Sequence, residues 1–184
     1  MSVRGRIPDD RRLQYLPQEL FEDRECLDVG CNSGRLTFAL VKKYRPKVMV
    51  GVDADEALIE QARRYKARCG DARARRVLSY FVEDFVERPC GREPYDTITC
   101  LSVTKWVQLT RGDEGVRALF RKAHAMLRED VCACGGRREF ATGVLVLEPQ
   151  PWKSYRRRAR LTPQMKETYA GLQLRPDAFV ACLL

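Results

Sequence analysis

Leu27-Asp28-Val29-Gly30-Cys31-Asn32-Ser33-Gly34 constrains this chain more than any other stretch. It follows a short apolar run and opens a segment whose Leu36, Leu40 and Val41 share one helical face. Val48-Met49-Val50-Gly51-Val52-Asp53 follows as a second buried strand ending in a carboxylate. Strand, glycine turn, helix, strand and terminal acid form the first half of a nucleotide-binding βαβ unit. Glycine suits the turn because a side chain there would block a tight bend and a close approach to a ligand. Asp53 lies 23 positions after Gly30, where such units place the acid that accepts hydrogen bonds from ribose hydroxyls.

A dinucleotide site calls for Gly-x-Gly-x-x-Gly, with a pyrophosphate over the helix N-terminus. This chain has Asp-x-Gly-x-x-x-Gly, with Asp28 ahead of the first glycine and no third glycine. A carboxylate there repels a pyrophosphate but can face the amino group of a zwitterionic ligand. The expected cofactor is therefore S-adenosylmethionine, which carries an ammonium and a sulfonium but no phosphate; NAD is the runner-up.

Further along, Ala57 to Arg68 is an amphipathic helix broken at Gly70-Asp71, and Val77 to Val82 is a third strand followed by Glu83-Asp84-Phe85. Tyr95 to Leu101 is the fourth strand, Val116 to Leu127 a helix, and Val144 to Leu147 a fifth strand whose unbroken apolarity predicts burial on both faces. Alternating strands and helices predict a single α/β domain over residues 1–184, with a parallel sheet and ligands at the carboxyl ends of its strands. No apolar run approaches the ~20 residues of a membrane span, and the N-terminal residues lack a signal-peptide apolar region. The expectation is a soluble intracellular chain, with nucleus or cytoplasm left open. Of the eight cysteines, Cys26, Cys31 and Cys100 fall in strands or beside the glycine turn, where cysteine behaves as a small hydrophobe. Cys132-Ala-Cys134 lacks the partners a four-ligand zinc site requires, since His124 and Cys90 are not spaced to supply them.

The formal charge of +9 points to a polyanionic partner. It concentrates at Arg156-Arg157-Arg158-Ala159-Arg160 and at a second cluster of Arg63, Arg64, Lys66, Arg68 and Arg73 to Arg76. Lys105-Trp106 follows the fourth strand and Trp152-Lys153 the fifth, so both pairs belong at carboxyl ends. A stacking ring beside a phosphate-binding cation suits the end of a nucleic acid; the alternative is that the tryptophans cap the core and the lysines snorkel.

Leu-Asp-Val-Gly-Cys-Asn-Ser-Gly, Ser-Val-Thr-Lys-Trp-Val, Gly-Asp-Glu-Gly and Leu-Glu-Pro-Gln-Pro-Trp together resemble the Bicoid-interacting-protein-3 family of RNA methyltransferases, from about Asp9 to the end of the chain. The resemblance implies the class I S-adenosylmethionine-dependent methyltransferase fold (Rossmann-like). It also implies transfer of a methyl group to the 5′-terminal phosphate of a small RNA. Carried over by position, Arg12 and the run Gly30, Cys31, Asn32 and Gly34 would hold the methionine part beside Asp28, and Asp53 and Ala54 the ribose. Asp84 and Phe85 would take the adenine side, and Leu101 would line the pocket. Lys105 and Trp106 are the expected catalytic pair. Glu148, Gln150, Trp152, Lys153, Tyr155 and Arg157 are the expected RNA contacts, and no metal is implied. The implied partners are RNA with a 5′ phosphate and ribonucleoprotein components, with no membrane and a monomer when complete. Departures are Gln108 and Thr110, where the family tends to have His and Asn, and an insertion within Arg128 to Thr142. Five strands stand where the family's sheet has seven, so the chain is expected to lack the last strands. A catalytically impaired RNA-binding paralogue or a fragment of the fold is the alternative reading.

Overall fold

The computed structural model describes residues 10–87, 94–129, 143–156 and 161–182. Among these residues five strands form one sheet: β1 (Glu25–Val29), β2 (Val48–Asp53), β3 (Leu78–Val82), β4 (Thr97–Leu101) and β5 (Val144–Glu148). All neighbours run parallel, in the order β3-β2-β1-β4-β5. The helices are α1 (Arg35–Tyr44), α2 (Glu56–Arg68), α3 (Ala72–Val77), α4 (Thr104–Met126) and α5 (Pro163–Gly171).

The register explains the core. Cys26 pairs with Met49 and Met49 with Leu78, and these side chains join Phe38, Leu40 and Ile59 in one apolar layer. One residue on, Leu27 pairs with Val50 and with Ile98, and these face the opposite layer with Leu119 and Phe120 of α4. The alternation is the two-residue period of a strand, and because both faces carry apolar residues both must be covered. A third cluster gathers Leu109, Tyr155 and Leu172 with Trp106 and Trp152.

Helix starts follow capping chemistry. Asp55 caps α2 by accepting the Ala57 and Leu58 N–H groups at 2.9 and 3.2 Å, and Lys66 and Arg68 sit in its last turn, favourable to the helix dipole. Asp71 caps α3 through Ala74 N–H at 2.8 Å, so the expected break at Gly70-Asp71 is also a helix start. Thr162 caps α5, with Pro163 in its first turn.

Two expectations need correction. β5 is half-buried along its whole length, because it pairs with β4 alone and stands at the sheet's edge among the described residues. The helix expected from Val116 begins at Thr104 and turns at Gly112 (φ 67°) within α4. Opposite β5, the other edge strand has two of its outward carbonyls covered: Arg63 donates to Tyr80 O at 3.1 and 3.3 Å and the Lys66 ammonium to Leu78 O. Side chains over an edge block further strand pairing. No helix among the described residues is long and apolar enough to cross a membrane.

Phe179, fully buried, packs edge-on against Phe120 of α4, ring centroids 5.9 Å apart, and so fastens the C-terminal segment to the core. Phe179→Ala should cost about 3–5 kcal/mol of unfolding free energy. Urea denaturation showing a loss below about 1 kcal/mol would mean this segment is not part of the folded core.

Candidate functional site

A cavity of about 920 Å³ opens where β1, β2 and β4 end. It lies where connections from the central strand diverge to either side, the crevice in which open parallel sheets hold ligands. Its floor depends on the turn after β1. Gly30 and Cys31 both donate to Val52 O, at 2.8 and 2.9 Å, which turns the chain out of the sheet. Gly30 has φ 72°, and a Cβ there would stand 2.4 Å from Val103 Cγ2. Only glycine therefore permits both this conformation and the approach of the loop after β4.

Asp53 shapes the wall beside this turn. Its two carboxylate oxygens accept Asn32 N–H at 2.8 Å and Asp55 N–H at 3.0 Å. Fixed in this way, it still presents acceptor lone pairs to the cavity that it lines. Ala54, Asn32 and Cys31 line the cavity beside it, while Gly34 lies behind, its carbonyl accepting Tyr80 O–H at 2.9 Å.

Asp28 lies buried at the floor. The expectation that it faces a ligand's amino group meets a different geometry: its oxygens accept the Thr37 and Thr99 hydroxyls at 2.6 and 2.8 Å. Burial pushes its carboxyl above the ordinary range, partly opposed by the two hydroxyls and by Arg12. On the far side, Arg12 forms a two-pronged pair with Asp10 (2.9 and 2.7 Å) and reaches Glu148 at 3.3 Å. The guanidinium holds Asp10 below the usual carboxylate range, and Asp10 holds Arg12 higher.

At the adenine side of the expected site, Asp84, Phe85 and Leu101 all line the cavity. Asp84 accepts Val86 N–H at 3.0 Å and pairs with Arg111 at 2.7 Å. Arg111 also reaches Glu87 at 2.6 Å and lines the cavity itself. Sequence reasoning missed Arg111, whose only signal was a charge just before the helix-breaking Gly112.

The expected catalytic and RNA-contacting residues divide. Trp106 lines the cavity, but Lys105 does not. Lys105 is 7% exposed, and its ammonium donates to Ser154 O at 2.7 Å and lies 5.0 Å from the Trp106 ring centre. Its charge is thus spent on holding the segment after β5, which corrects its placement against a phosphate. Glu148 and Gln150 serve the same latch. Ser102, held at φ 61°, donates to Glu148 at 2.7 Å, its carbonyl accepts from Gln150, and Gln150 accepts Lys105 N–H at 3.2 Å. A left-handed serine costs of order 1 kcal/mol and persists only where its surroundings hold it. The Trp152 ring is not a free platform either: it stacks on Tyr169 at 5.1 Å, with the Arg175 guanidinium 3.8 Å from its centre. Tyr155 is fully buried and donates to Gln108, itself bonded to Asp113 and to Leu174 O. Lys153 is exposed outside the cavity, His124 is exposed on α4, and Arg157, Cys90, Cys132, Cys134 and most of the 128–142 insertion lie outside the described residues. Among the described residues no group of three or more His, Cys, Asp or Glu side chains could hold a metal.

The buried carboxyl makes stability depend on pH. Because the folded Asp28 holds its proton to higher pH than the unfolded chain does, stability falls as pH rises between the two values. Asp28→Asn removes this dependence while keeping a side chain that can bond both threonines. The variant's melting temperature relative to the parent should be higher at pH 7 than at pH 4. A constant difference across that range would show that Asp28 is not a raised, buried acid.

Known proteins share both the sequence and the fold. Residues 27–132 match the methyltransferase domain model, and residues 95–184 match Bicoid-interacting protein 3. The U6 snRNA methylphosphate capping enzyme Amus of Drosophila melanogaster is 35% identical over 95% of this chain and 58% of that protein. The RNA 5′-monophosphate methyltransferase of Bos taurus is 31% identical over 83% of this chain and 57% of that protein. The chain thus spans a little over half the length of either. The N-methyltransferase NodS from Bradyrhizobium japonicum superposes with a TM-score of 0.50 at 19% identity, over 63% of this chain and 60% of that one, a likeness of fold alone. The chain carries the class I methyltransferase fold, on a sheet of five strands among the described residues, and it belongs to the methyltransferase-domain proteins; over residues 95–184 it is similar to the Bicoid-interacting protein 3 family.

Proposed function

We propose that this chain uses S-adenosylmethionine to methylate the 5′-terminal phosphate of an RNA. The observation that carries the cofactor reading is the charge of the cavity wall. Leaving aside the buried Asp28, whose oxygens are taken by Thr37 and Thr99, Asp10, Asp53, Glu83 and Asp84 line it against Arg12, Arg35 and Arg111, with no lysine. Such a wall suits a phosphate-free ligand bearing positive charge and disfavours the pyrophosphate of a dinucleotide. The volume is also ample for a ligand of this size.

Bound there, S-adenosylmethionine supplies an electrophilic methyl group on a sulfonium. Asp53 accepts the ribose hydroxyls, Gly30 to Asn32 with Arg12 hold the methionine end, and Asp84, Phe85 and Leu101 take the adenine side. Trp106, Val107 and Thr110 form the wall through which an acceptor would approach. A terminal phosphate oxygen is already anionic near neutral pH, since its second pKa is about 6. The protein therefore contributes positioning and charge management rather than a strong base. With Lys105 turned to Ser154, the cations on this wall are the three arginines. The names of the two relatives support a 5′ phosphate as the acceptor.

A second reading, RNA binding without turnover, draws on the burial of Lys105. Labelled S-adenosylmethionine incubated with RNAs that differ only in a 5′-triphosphate, 5′-monophosphate or 5′-hydroxyl separates the two. Label on the phosphorylated RNAs alone is the expected result. Equal labelling of all three would point to a base or ribose target, and cofactor binding with no labelling would favour the second reading.

The cofactor assignment has its own check. Asp53→Ala removes charge-assisted hydrogen bonds and should weaken S-adenosylmethionine binding by about 1.5–3 kcal/mol. Unchanged affinity by calorimetry would remove Asp53 from the site.

A further inference from the structure

Arg111 stands where two sides of the cavity meet. It belongs to α4 and lines the cavity with Trp106, Val107 and Thr110 of the same helix, yet both its partners come from the loop after β3. One guanidinium nitrogen, Nη2, reaches Asp84 Oδ2 at 2.7 Å and Glu87 Oε1 at 2.6 Å. The chain around it is shaped to allow this. Gly112 (φ 67°) interrupts the helical course directly after Arg111, and a Cβ on Gly115 would stand 2.3 Å from Arg111 Cβ. A larger residue at 115 would therefore push the arginine from its place. A second contact holds the same loop to α4, since the Lys122 ammonium lies 4.8 Å from the Phe85 ring centre.

Stability does not account for the pair. The side chains of Arg111, Asp84 and Glu87 are 30%, 36% and 66% exposed, and ion pairs at such positions add little to folding. What the pair does set is the direction of Asp84. Its Oδ1 accepts Val86 N–H at 3.0 Å and Glu87 N–H at 3.4 Å, and its Oδ2 takes Arg111. A carboxylate offers about four acceptor positions, so with these taken roughly one is left on a side chain that lines the cavity.

We propose that Arg111 is a positioning residue that sets the purine preference of the site: by holding Asp84 it leaves a single fixed acceptor, which takes a 6-aminopurine and refuses a 6-oxopurine. The inference rests on the reading that the cavity holds S-adenosylmethionine with its adenine beside Asp84. The amino group of adenine donates to the remaining acceptor. Hypoxanthine carries a carbonyl at the same place and sets one acceptor against another. It also carries an N–H on the neighbouring ring nitrogen, which a carboxylate free to turn can reach and a fixed one cannot. A site built to hydrogen-bond one group rejects the analogue lacking it far more sharply than shape alone does. Without Arg111, Oδ2 is free to turn or to take up water, and the preference softens.

Calorimetry on the full chain with S-adenosylhomocysteine and S-inosylhomocysteine, which differ in that one group, tests the inference without any methyl transfer. The parent should bind the adenosyl compound more tightly by about ten- to a hundredfold, the scale of one hydrogen bond to a charged group. Arg111→Gln should lower that ratio about fivefold, the scale of coupling within one polar network, whatever it does to either affinity alone. Arg111→Lys keeps a cation near Asp84 without the planar fork and should restore part of the ratio. In an Asp84→Asn background, Arg111→Gln should leave the ratio as it finds it, because both residues act through one carboxylate. Arg121→Gln removes another α4 cation, one paired with Glu114 at 2.5 Å, and should keep the parent ratio. Equal weakening of both ligands by Arg111→Gln, with the ratio unchanged, would show a structural role alone and overturn the proposal. An equal fall in the ratio for Arg121→Gln would overturn it as an effect of net charge. A parent that binds neither compound would remove the cofactor reading and this inference with it, whereas one that binds both equally would remove the inference alone.

Discussion

Asp28 buries a carboxylate in the middle of the sheet, and its two oxygens take the hydroxyls of Thr37 and Thr99. One side chain of β1 is thereby tied to α1 on one side and to β4 on the other. β1 is also the strand from which the connections diverge, since β2 and β3 lie to one side and β4 and β5 to the other. The crevice at its carboxyl end exists because these connections part there. Burying an acid is costly unless its acceptors are satisfied, so the two threonines must keep their places. The glycine turn, which starts two residues later, inherits that position. Val52 O then captures two successive N–H groups and completes the floor.

The opposite wall is held by a chain of polar contacts rather than by the sheet. Ser102 sits in a conformation serine seldom adopts, with its hydroxyl on Glu148 and its carbonyl on Gln150. Lys105 extends the chain to Ser154, and the buried Tyr155 passes it on to Gln108 and Asp113. Asp113 in turn accepts the N–H groups of Gln173 and Leu174 at 2.9 and 3.0 Å. The residues after β5 thus shape the cavity indirectly, by fixing where the loop after β4 runs. Burial keeps these bonds in a low-dielectric setting, where each is stronger and each loss costs more.

What could be read from the residues alone was what is local. The glycine turn, the acid ending β2 and the alternation of strands and helices each follow from neighbours in sequence, and the structure places Gly30, Asn32, Asp53, Asp84 and Leu101 around one cavity. The direction of Lys105 was not local. It depends on α4 starting at Thr104 and on a carbonyl 49 positions away being within reach of its ammonium. Trp152 looked like a free ring because its coverings, Tyr169 and Arg175, come from later segments. β5 read as doubly buried because apolarity reports composition, whereas burial depends on which strands stand beside it. Arg111 acquires its meaning only when the loop after β3 meets α4. The start of α3 was legible in principle, for Asp71 is an ordinary N-cap residue.

The charge of the molecule is segregated in a way its total conceals. A formal charge of +9 suggests a basic site, yet carboxylates outnumber guanidiniums on the cavity wall. The proposed cofactor is positively charged and the proposed substrate polyanionic, and they place opposite demands on one surface, because a field that attracts one repels the other. Separating the demands in space resolves the conflict. The acids sit at the strand ends, while Arg63, Lys66 and Arg75 gather beside β3 at the sheet's edge, with Glu60 paired to Arg63 at 2.8 Å. Partly buried charges at the strand ends are screened less by salt than exposed ones at the sheet's edge, whose fields fall off within about 8–10 Å at moderate ionic strength. If the chain takes S-adenosylmethionine and RNA as proposed, affinity for the cofactor should respond weakly to salt and affinity for RNA strongly, a division that a single mixed-charge site could not produce.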